Sequence, residues 1–203
     1  MLISESFFKR KDVTVIAQEL IGKLIYSNFD NIKTGGIITE TEAYSGIQDR
    51  ASHAFGGRRT ARTEVMYQEA GTIYVYLCYG IHHLFNIVTN AKDIPDAILI
   101  RSIYPVTGIG TIRKRRSGTA IADSQLCVGP GNMTKGLGIT INENGTLLNK
   151  SKIYITGKAY LKDRSLIQSG HRIGVAYAGK DALLPYRFYV NHRHLEKLDL
   201  ASG

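Results

Sequence analysis

The sequence predicts an α+β fold: one curved, mostly antiparallel β-sheet with peripheral helices and a protruding β-hairpin. Three observations carry that expectation. Many short apolar runs along the chain read as strands, several set off by Gly or Pro. Few stretches hold apolar residues at helical spacing. No internal repeat, low-complexity tract or clean linker interrupts the 203 residues, so residues 1–203 read as a single domain.

The elements follow in order. Asp12 is placed to cap a helix, with Val13, Ile16, Ala17 and Leu20 at helical spacing and Gly22 as its stop. Lys23 to Tyr26 reads as a strand, followed by a turn near Asn28 to Asn31. Gly36 to Tyr44 reads as a second strand, and its alternation puts Ile38, Glu40, Glu42 and Tyr44 on one face. Residues 45–63 form a polar loop, and a helical turn covers Glu64 to Gln68. Thr72 to Tyr79 and Leu84 to Thr89 make a hairpin bent at Gly80, and Ala97 to Tyr104 is a strand stopped by Pro105. An irregular helix lies within Gly108 to Arg116. Gly129-Pro130-Gly131 breaks the chain before the apolar Leu137 to Ile141, Ile153 to Thr156 and Ile173 to Tyr177 are further short strands, and Arg187 to Asn191 closes the fold.

Composition narrows the partners. Lys and Arg number 26 against 17 Asp and Glu, a net charge of +9, which favours a polyanion: nucleic acid or an anionic membrane surface. The excess is clustered at Arg58, Arg59 and Arg62, and again at Arg113, Lys114, Arg115 and Arg116. Both clusters are candidate phosphate contacts, and their aromatic neighbours favour nucleic acid; a solvated basic face is the bland alternative. No apolar run is long enough to span a membrane, no basic amphipathic helix supports a membrane surface, and no signal peptide is recognisable, so the cytoplasm is expected. Cys78 and Cys127 stand far apart and imply neither a disulfide framework nor zinc.

Familiar chemical motifs fail. Gly108-Ile109-Gly110 lacks the third glycine of a dinucleotide loop, there is no Walker A loop, and no serine sits in a nucleophile elbow. His192-Arg193-His194 reads as a solvated tail rather than a metal site. Two segments stand out instead. In Thr39 to Tyr44, Glu40 and Glu42 share a strand face with Tyr44, which is costly unless that face meets water, a ligand or cations. In Tyr74 to Tyr79, Tyr74 and Tyr76 share one face and Tyr79 takes the other. Tyrosines beside Arg clusters suit base stacking, although packing alone also explains strand tyrosines.

Together, Glu42-Ala43-Tyr44, Gly46, Ala51, His53, Gly56-Gly57-Arg58, Thr60, Arg62, Met66, Gly71-Thr72, Tyr74-Val75-Tyr76, Tyr79-Gly80 and Asn86-Ile87 resemble the alkyladenine DNA glycosylases. The likeness resumes at Leu99 to Pro105, Cys127 to Ile139 and Arg172 to Tyr189. It implies an enzyme that flips damaged purines out of double-stranded DNA and hydrolyses the N-glycosidic bond without a lyase step. Its lesions would include 3-methyladenine and 7-methylguanine, with hypoxanthine and ethenoadenine as further candidates. The resemblance implies Glu42 as the general base and Arg101 as a residue that holds the water. Tyr44, His53 and Tyr76 would sandwich the base, with the His53 backbone reading the purine edge. Tyr79 would be the intercalating wedge, and Asn86 would exclude guanine. Ile81 replaces the Met that vertebrate relatives carry beside the wedge, and their N-terminal extension has no counterpart here. A monomer without metal or cofactor is expected. Two rivals remain at this point: a non-catalytic nucleic-acid-binding module of the same fold, and a metal-dependent nuclease using Glu40, Glu42, Asp49 and His53. Glu40 itself is assigned a structural role on the shared face.

Overall fold

Asp12 opens the first long helix as its place before an apolar stripe requires. In the computed structural model, which describes residues 1–116, 120–161, 163–191 and 194, its carboxylate accepts from the Thr14 and Val15 backbone N–H groups. Two donors that the first helical turn leaves unpaired are thereby satisfied. A short helix α1 (Glu5–Phe8) precedes α2 (Val13–Leu20), which buries Val13, Ile16, Ala17 and Leu20. That spacing lays all four on one face. Gly22, at φ +88°, turns the chain into the sheet, and a Cβ there would come within 2.6 Å of the Leu161 Cβ.

The sheet begins with a hairpin of β1 (Lys23–Phe29) and β2 (Ile32–Tyr44). Its two-residue turn holds Asp30 and Asn31 at φ 53° and 60°, the left-handed pair that matches strand twist. The remaining strands are β3 (Ile73–Cys78), β4 (His82–Thr89), β5 (Asp96–Thr107), β6 (Ile153–Ala159), β7 (Gln168–Gly170) and β8 (Arg187–Tyr189). The main order is β3-β4-β5-β2-β1-β6; β8 pairs with β2 and with β7. Every strand pairing among the described residues is antiparallel. The α+β class and the antiparallel sheet expected from the sequence are therefore what the chain adopts. Helices α3 (Ile109–Arg115) and α4 (Pro130–Leu137) add Ile112, Met133 and Leu137 to a core that also holds the apolar residues of α2, β1, β2 and β5. Among the described residues no helix is long and apolar enough to cross a membrane.

Several local expectations are corrected. Pro105 does not stop β5, which runs on to Thr107. There β4 has already ended its pairing, and the β2 register slips at Gly35 and Gly36, the kind of irregular, one-sided position that accepts proline. Gly129-Pro130-Gly131 starts helix α4 rather than merely breaking the chain, because Pro at the first helical position has a preset φ and no N–H to strand. Ile173 to Tyr177 is not a strand: it leads into a 3-10 helix, Ala176–Leu183, after Gly174 at φ +79°. Ile38 belongs to the main apolar core, and the β2 register is irregular on both sides of Glu40, so a simple alternation from 38 to 44 does not hold. Tyr79 lies beyond the last residue of β3, in the turn, at φ 50° beside Gly80 at φ 74°. Helix α1 and strand β7 are too short to show a periodic pattern. His192 and Arg193 of the expected tail lie outside the described residues.

Candidate active site

Strand β2 carries Glu42 into the interior, opposite Leu99 of β5 on one side and Arg187 of β8 on the other. Its side chain is completely buried. An unpartnered carboxylate there would be very costly, and three donors meet it. The Tyr44 hydroxyl donates to Oε2 at 2.7 Å, the Ile173 backbone N–H donates to Oε1 at 2.8 Å, and Arg101 Nη1 stands 3.3 Å from Oε2. Burial nevertheless outweighs these partners and pushes the Glu42 carboxyl above its ordinary value, with Arg101, Ile173 and Tyr44 opposing the shift and Glu40 reinforcing it.

Arg101 is itself buried, its Nε donating to Glu40 Oε1 at 3.0 Å. Glu40 also accepts from the Ser102 hydroxyl at 2.8 Å and from Arg187 Nη1 at 3.3 Å. Thus Glu40, Glu42 and Tyr44 gather on one side of β2 around Arg101, as the spacing of that segment predicted for those three.

A cavity of about 370 Å³ opens beside this network, within the range that holds a small planar ligand. Glu42 does not reach its wall. Tyr44, Arg101 and Ile173 do, and each of them touches Glu42. His53, Tyr74, Tyr76, Tyr79 and Asn86 line the same cavity. The β3–β4 register puts Tyr74 against Asn86, whose Nδ2 donates to the Tyr74 and Leu84 carbonyls at 3.1 and 3.3 Å, which fixes the amide. Tyr74 and Tyr76 share a face, with centroids 5.5 Å apart.

His53 Nδ1 is 2.9 Å from the Tyr74 hydroxyl and Nε2 is 3.5 Å from Arg62 Nη2. Arginine only donates, so Nε2 presents its lone pair and Nδ1–H donates to Tyr74. Burial, with help from Arg62 and Arg58, pulls the imidazole down to about 4, so it is uncharged at neutral pH. His53 meets Tyr76 edge to face at 4.7 Å, and the Arg62 guanidinium lies 4.9 Å above the Tyr76 ring. The two rings touch and leave no gap between them.

Loop 45–63, which carries His53, is tied down by a pair the sequence reading did not assign. Asp49 and Arg172 are fully buried and form a two-pronged ion pair, one arm of which spans 2.8 Å. Asp49 also accepts from the Ser45 and Ala51 N–H groups, while Arg172 donates to the Ala43 and Asp181 carbonyls. Arg172 stacks on Tyr44 at 4.8 Å and directly precedes Ile173, so one loop positions both a cavity ring and a donor to Glu42. No local signal marks a contact across 123 positions.

The basic clusters do not form uniform faces. Arg58, Arg62 and Lys114 are exposed. Arg59 is held by Glu64 and Asp93. Arg113 pairs with Asp123, Arg115 donates to Thr34 and the Gly136 carbonyl, and Arg116 donates to the Leu126 carbonyl. The four residues of the nuclease rival are likewise committed separately, Glu40 and Glu42 to Arg101, Asp49 to Arg172, and His53 to Tyr74 and Arg62. Among the described residues no three such side chains are grouped to hold a metal ion.

The hairpin tip beside the cavity exposes Leu77, Tyr79 and Ile81, with Tyr79 at 89%.

The model of the family described as Methylpurine-DNA glycosylase (MPG) matches residues 6–194. A protein of Chlamydia pneumoniae is 38% identical over 190 residues, covering 94% of this chain and 95% of its own. One from Chlamydia felis (strain Fe/C-56) is 38% identical over 197 residues, 97% of this chain and 100% of its own. One from Bacillus cereus (strain B4264) is 40% identical over 189 residues, 90% of this chain and 92% of its own. Each carries the name "Putative 3-methyladenine DNA glycosylase". With its sheet, its buried carboxylate and its aromatic cavity set in a sequence so closely matched, the chain belongs to the methylpurine-DNA glycosylase family of DNA repair enzymes.

Proposed function

We propose that the protein removes alkylated purines, 3-methyladenine and 7-methylguanine foremost, from duplex DNA by hydrolysing the N-glycosidic bond and leaving an abasic site. The observation that carries this reading is Glu42, buried directly behind the wall of an aromatic cavity and held by three donors that themselves line it. A base within a duplex is out of reach, so it must be flipped into that cavity, at a cost of a few kcal/mol that is smallest for a damaged base. Tyr79 and its exposed neighbours fill the vacated stack, a contact of about 1–3 kcal/mol per base in comparable settings. The base enters as His53 and Tyr76 part and Arg62 leaves the ring face. A methylated purine cation gains about 0.5–2 kcal/mol over such a face, and the uncharged His53 does not repel it. Asn86, its amide pinned by two carbonyls, restricts the purine edge that fits.

In the reaction the water oxygen bonds to C1′ as the C1′–N bond breaks. The bonding pair leaves with the purine, which departs neutral if it was cationic, and the water proton passes to Glu42 and then to solvent. The carboxylate also stabilises the positive charge that develops on the sugar. Base release from duplexes carrying 3-methyladenine, hypoxanthine or ethenoadenine, with chelator present, tests the proposal. Abasic sites without strand breaks are expected. Tight DNA binding without release from any lesion would assign the chain to the binding-module alternative, and chelator-sensitive strand cleavage to the nuclease.

Two further results are expected. Glu42 works as a base only when ionised, so activity is present above its pKa and lost as pH falls through it. Because burial raises that pKa, the acidic limb of the single-turnover rate lies above the ordinary Glu value of about 4.3. A limb at or below that value would contradict the assignment. Arg58 and Lys114 are exposed and make no ion pair among the described residues. The double variant Arg58→Ala, Lys114→Ala is expected to reduce the slope of log K against log salt by about 0.9 per lost phosphate contact. An unchanged slope would place both residues off the DNA.

A further inference from the structure

Glu40 sits where two halves of the site join. Its Oε1 accepts from Arg101 Nε at 3.0 Å, leaving Arg101 Nη1 on Glu42 at 3.3 Å. Its Oε2 accepts from the Ser102 hydroxyl at 2.8 Å, and that same hydroxyl accepts the backbone N–H of Gly129 at 3.0 Å. Gly129 caps α4, and α4 supports the hairpin: the Thr134 hydroxyl donates to the His83 carbonyl at 2.7 Å, and a Cβ at Gly131 would come within 2.8 Å of the His82 ring. A continuous set of hydrogen bonds and packed atoms thus runs from Glu42 through Arg101, Glu40, Ser102 and α4 to the turn that bears Tyr79.

We propose that Glu40 is a positioning residue for excision: it divides the Arg101 guanidinium between two carboxylates, setting the edge that faces Glu42, and registers that edge to the helix on which the wedge hairpin rests. A planar guanidinium offers donors in fixed directions, so anchoring Nε leaves the Nη1 direction little freedom. Left without Glu40, Arg101 turns wholly onto Glu42, neutralising the base and closing the approach of water. Arg187, the other cation on Glu40, already stacks on Tyr189 at 4.5 Å and does not substitute for Arg101. Among the described residues, the charged and titratable groups around Glu42 are Arg101 from β5, Arg187 opposite it on β8, Glu40 and Tyr44 from β2, and Arg172 from the loop before Ile173. Of these, Glu40 is the only carboxylate.

This inference rests on Glu42 being the base, and a double-mutant cycle separates the two. Single-turnover excision is measured for the wild type, Glu40→Gln, Arg101→Ala and the pair, with lesion-duplex affinity alongside. Partners that orient a working group commonly carry about 10–100-fold of its effect, and a loss of that size is expected for Glu40→Gln, with affinity unchanged. In the Arg101→Ala background Glu40→Gln costs nothing further, because Glu40 acts through Arg101. The acidic limb also moves to lower pH in Glu40→Gln, since a neighbouring negative charge is gone and Arg101 binds Glu42 more closely. A purely structural role would lower melting temperature and leave the limb in place. Fully additive losses, or an unmoved limb, overturn the inference while Glu42→Gln remains inactive. If Glu40→Gln does not fold, Ser102→Ala, which keeps the carboxylate, is expected to reduce excision with the limb unmoved; wild-type rates in Ser102→Ala would then remove the α4 connection. An active Glu42→Gln would instead remove the functional reading itself.

Discussion

Replacing Glu42 by Gln is expected to lower single-turnover release of 3-methyladenine by about 10²–10⁴-fold, the range carried by a positioned general base. Affinity for the lesion duplex stays unchanged, because Glu42 is buried behind the cavity wall and meets no DNA-facing surface. Shape is nearly conserved. The Gln carbonyl still accepts from Ile173 N–H, and the Tyr44 hydroxyl can reverse its bond to accept from the new amide. The new amide NH2 also faces Arg101 Nη1, a donor against a donor, but Glu40 keeps Arg101 paired, so the fall in stability is expected to be modest. Burial raises the Glu42 pKa, so the native state holds its proton more tightly than the unfolded chain, and ionising Glu42 costs stability as pH rises through that window. A neutral Gln escapes that cost. Release kinetics together with a binding titration check the result, and a Gln variant with near wild-type excision would mean that another group activates the water.

The second large effect falls on stability. Asp49→Ala leaves the Arg172 guanidinium buried without its carboxylate. Removing one partner of a buried ion pair costs about 3–5 kcal/mol, because the other charge stays desolvated. For a chain of this size each kcal/mol lowers the melting temperature by about 2–4 °C, so a drop of about 6–20 °C is expected. The Ser45 and Ala51 N–H groups lose their acceptor as well, which loosens the loop that carries His53. Excision at a permissive temperature should fall too, since Arg172 sets the position of Ile173, whose N–H holds Glu42. Urea unfolding reads the loss directly. A change below about 1 kcal/mol would assign the pair no anchoring role, as for an exposed ion pair.

Elements with a local code were legible. The α2 cap at Asp12 and its stripe of Val13, Ile16, Ala17 and Leu20 need only helical spacing, and the β3–β4 hairpin needs only two strands around a tight turn. Pro105 and Pro130 were misread because proline has two meanings. Its missing N–H ends a strand that is paired on both sides, but it is harmless at an irregular one-sided position and favourable at a helix start. Ile173 to Tyr177 looked like a strand because its apolar content is strand-like, yet the Ile173 N–H is taken by a carboxylate 131 positions away.

The candidate site divides along the same line. Which side chains belong to the candidate site was legible through the family resemblance: Tyr44, His53, Tyr76, Asn86 and Arg101 line one cavity, and Glu42 lies behind its wall. How they are tuned was not. Only the tertiary structure buries Glu42 deeply enough for desolvation to exceed the pull of Arg101, leaves His53 uncharged, and joins Asp49 to Arg172. It alone separates the exposed Arg58, Arg62 and Lys114 from arginines already bound to the protein's own carbonyls and carboxylates. The reason is physical. Residue type and spacing are local properties, whereas desolvation and the pairing of charges depend on which distant segments fold against one another.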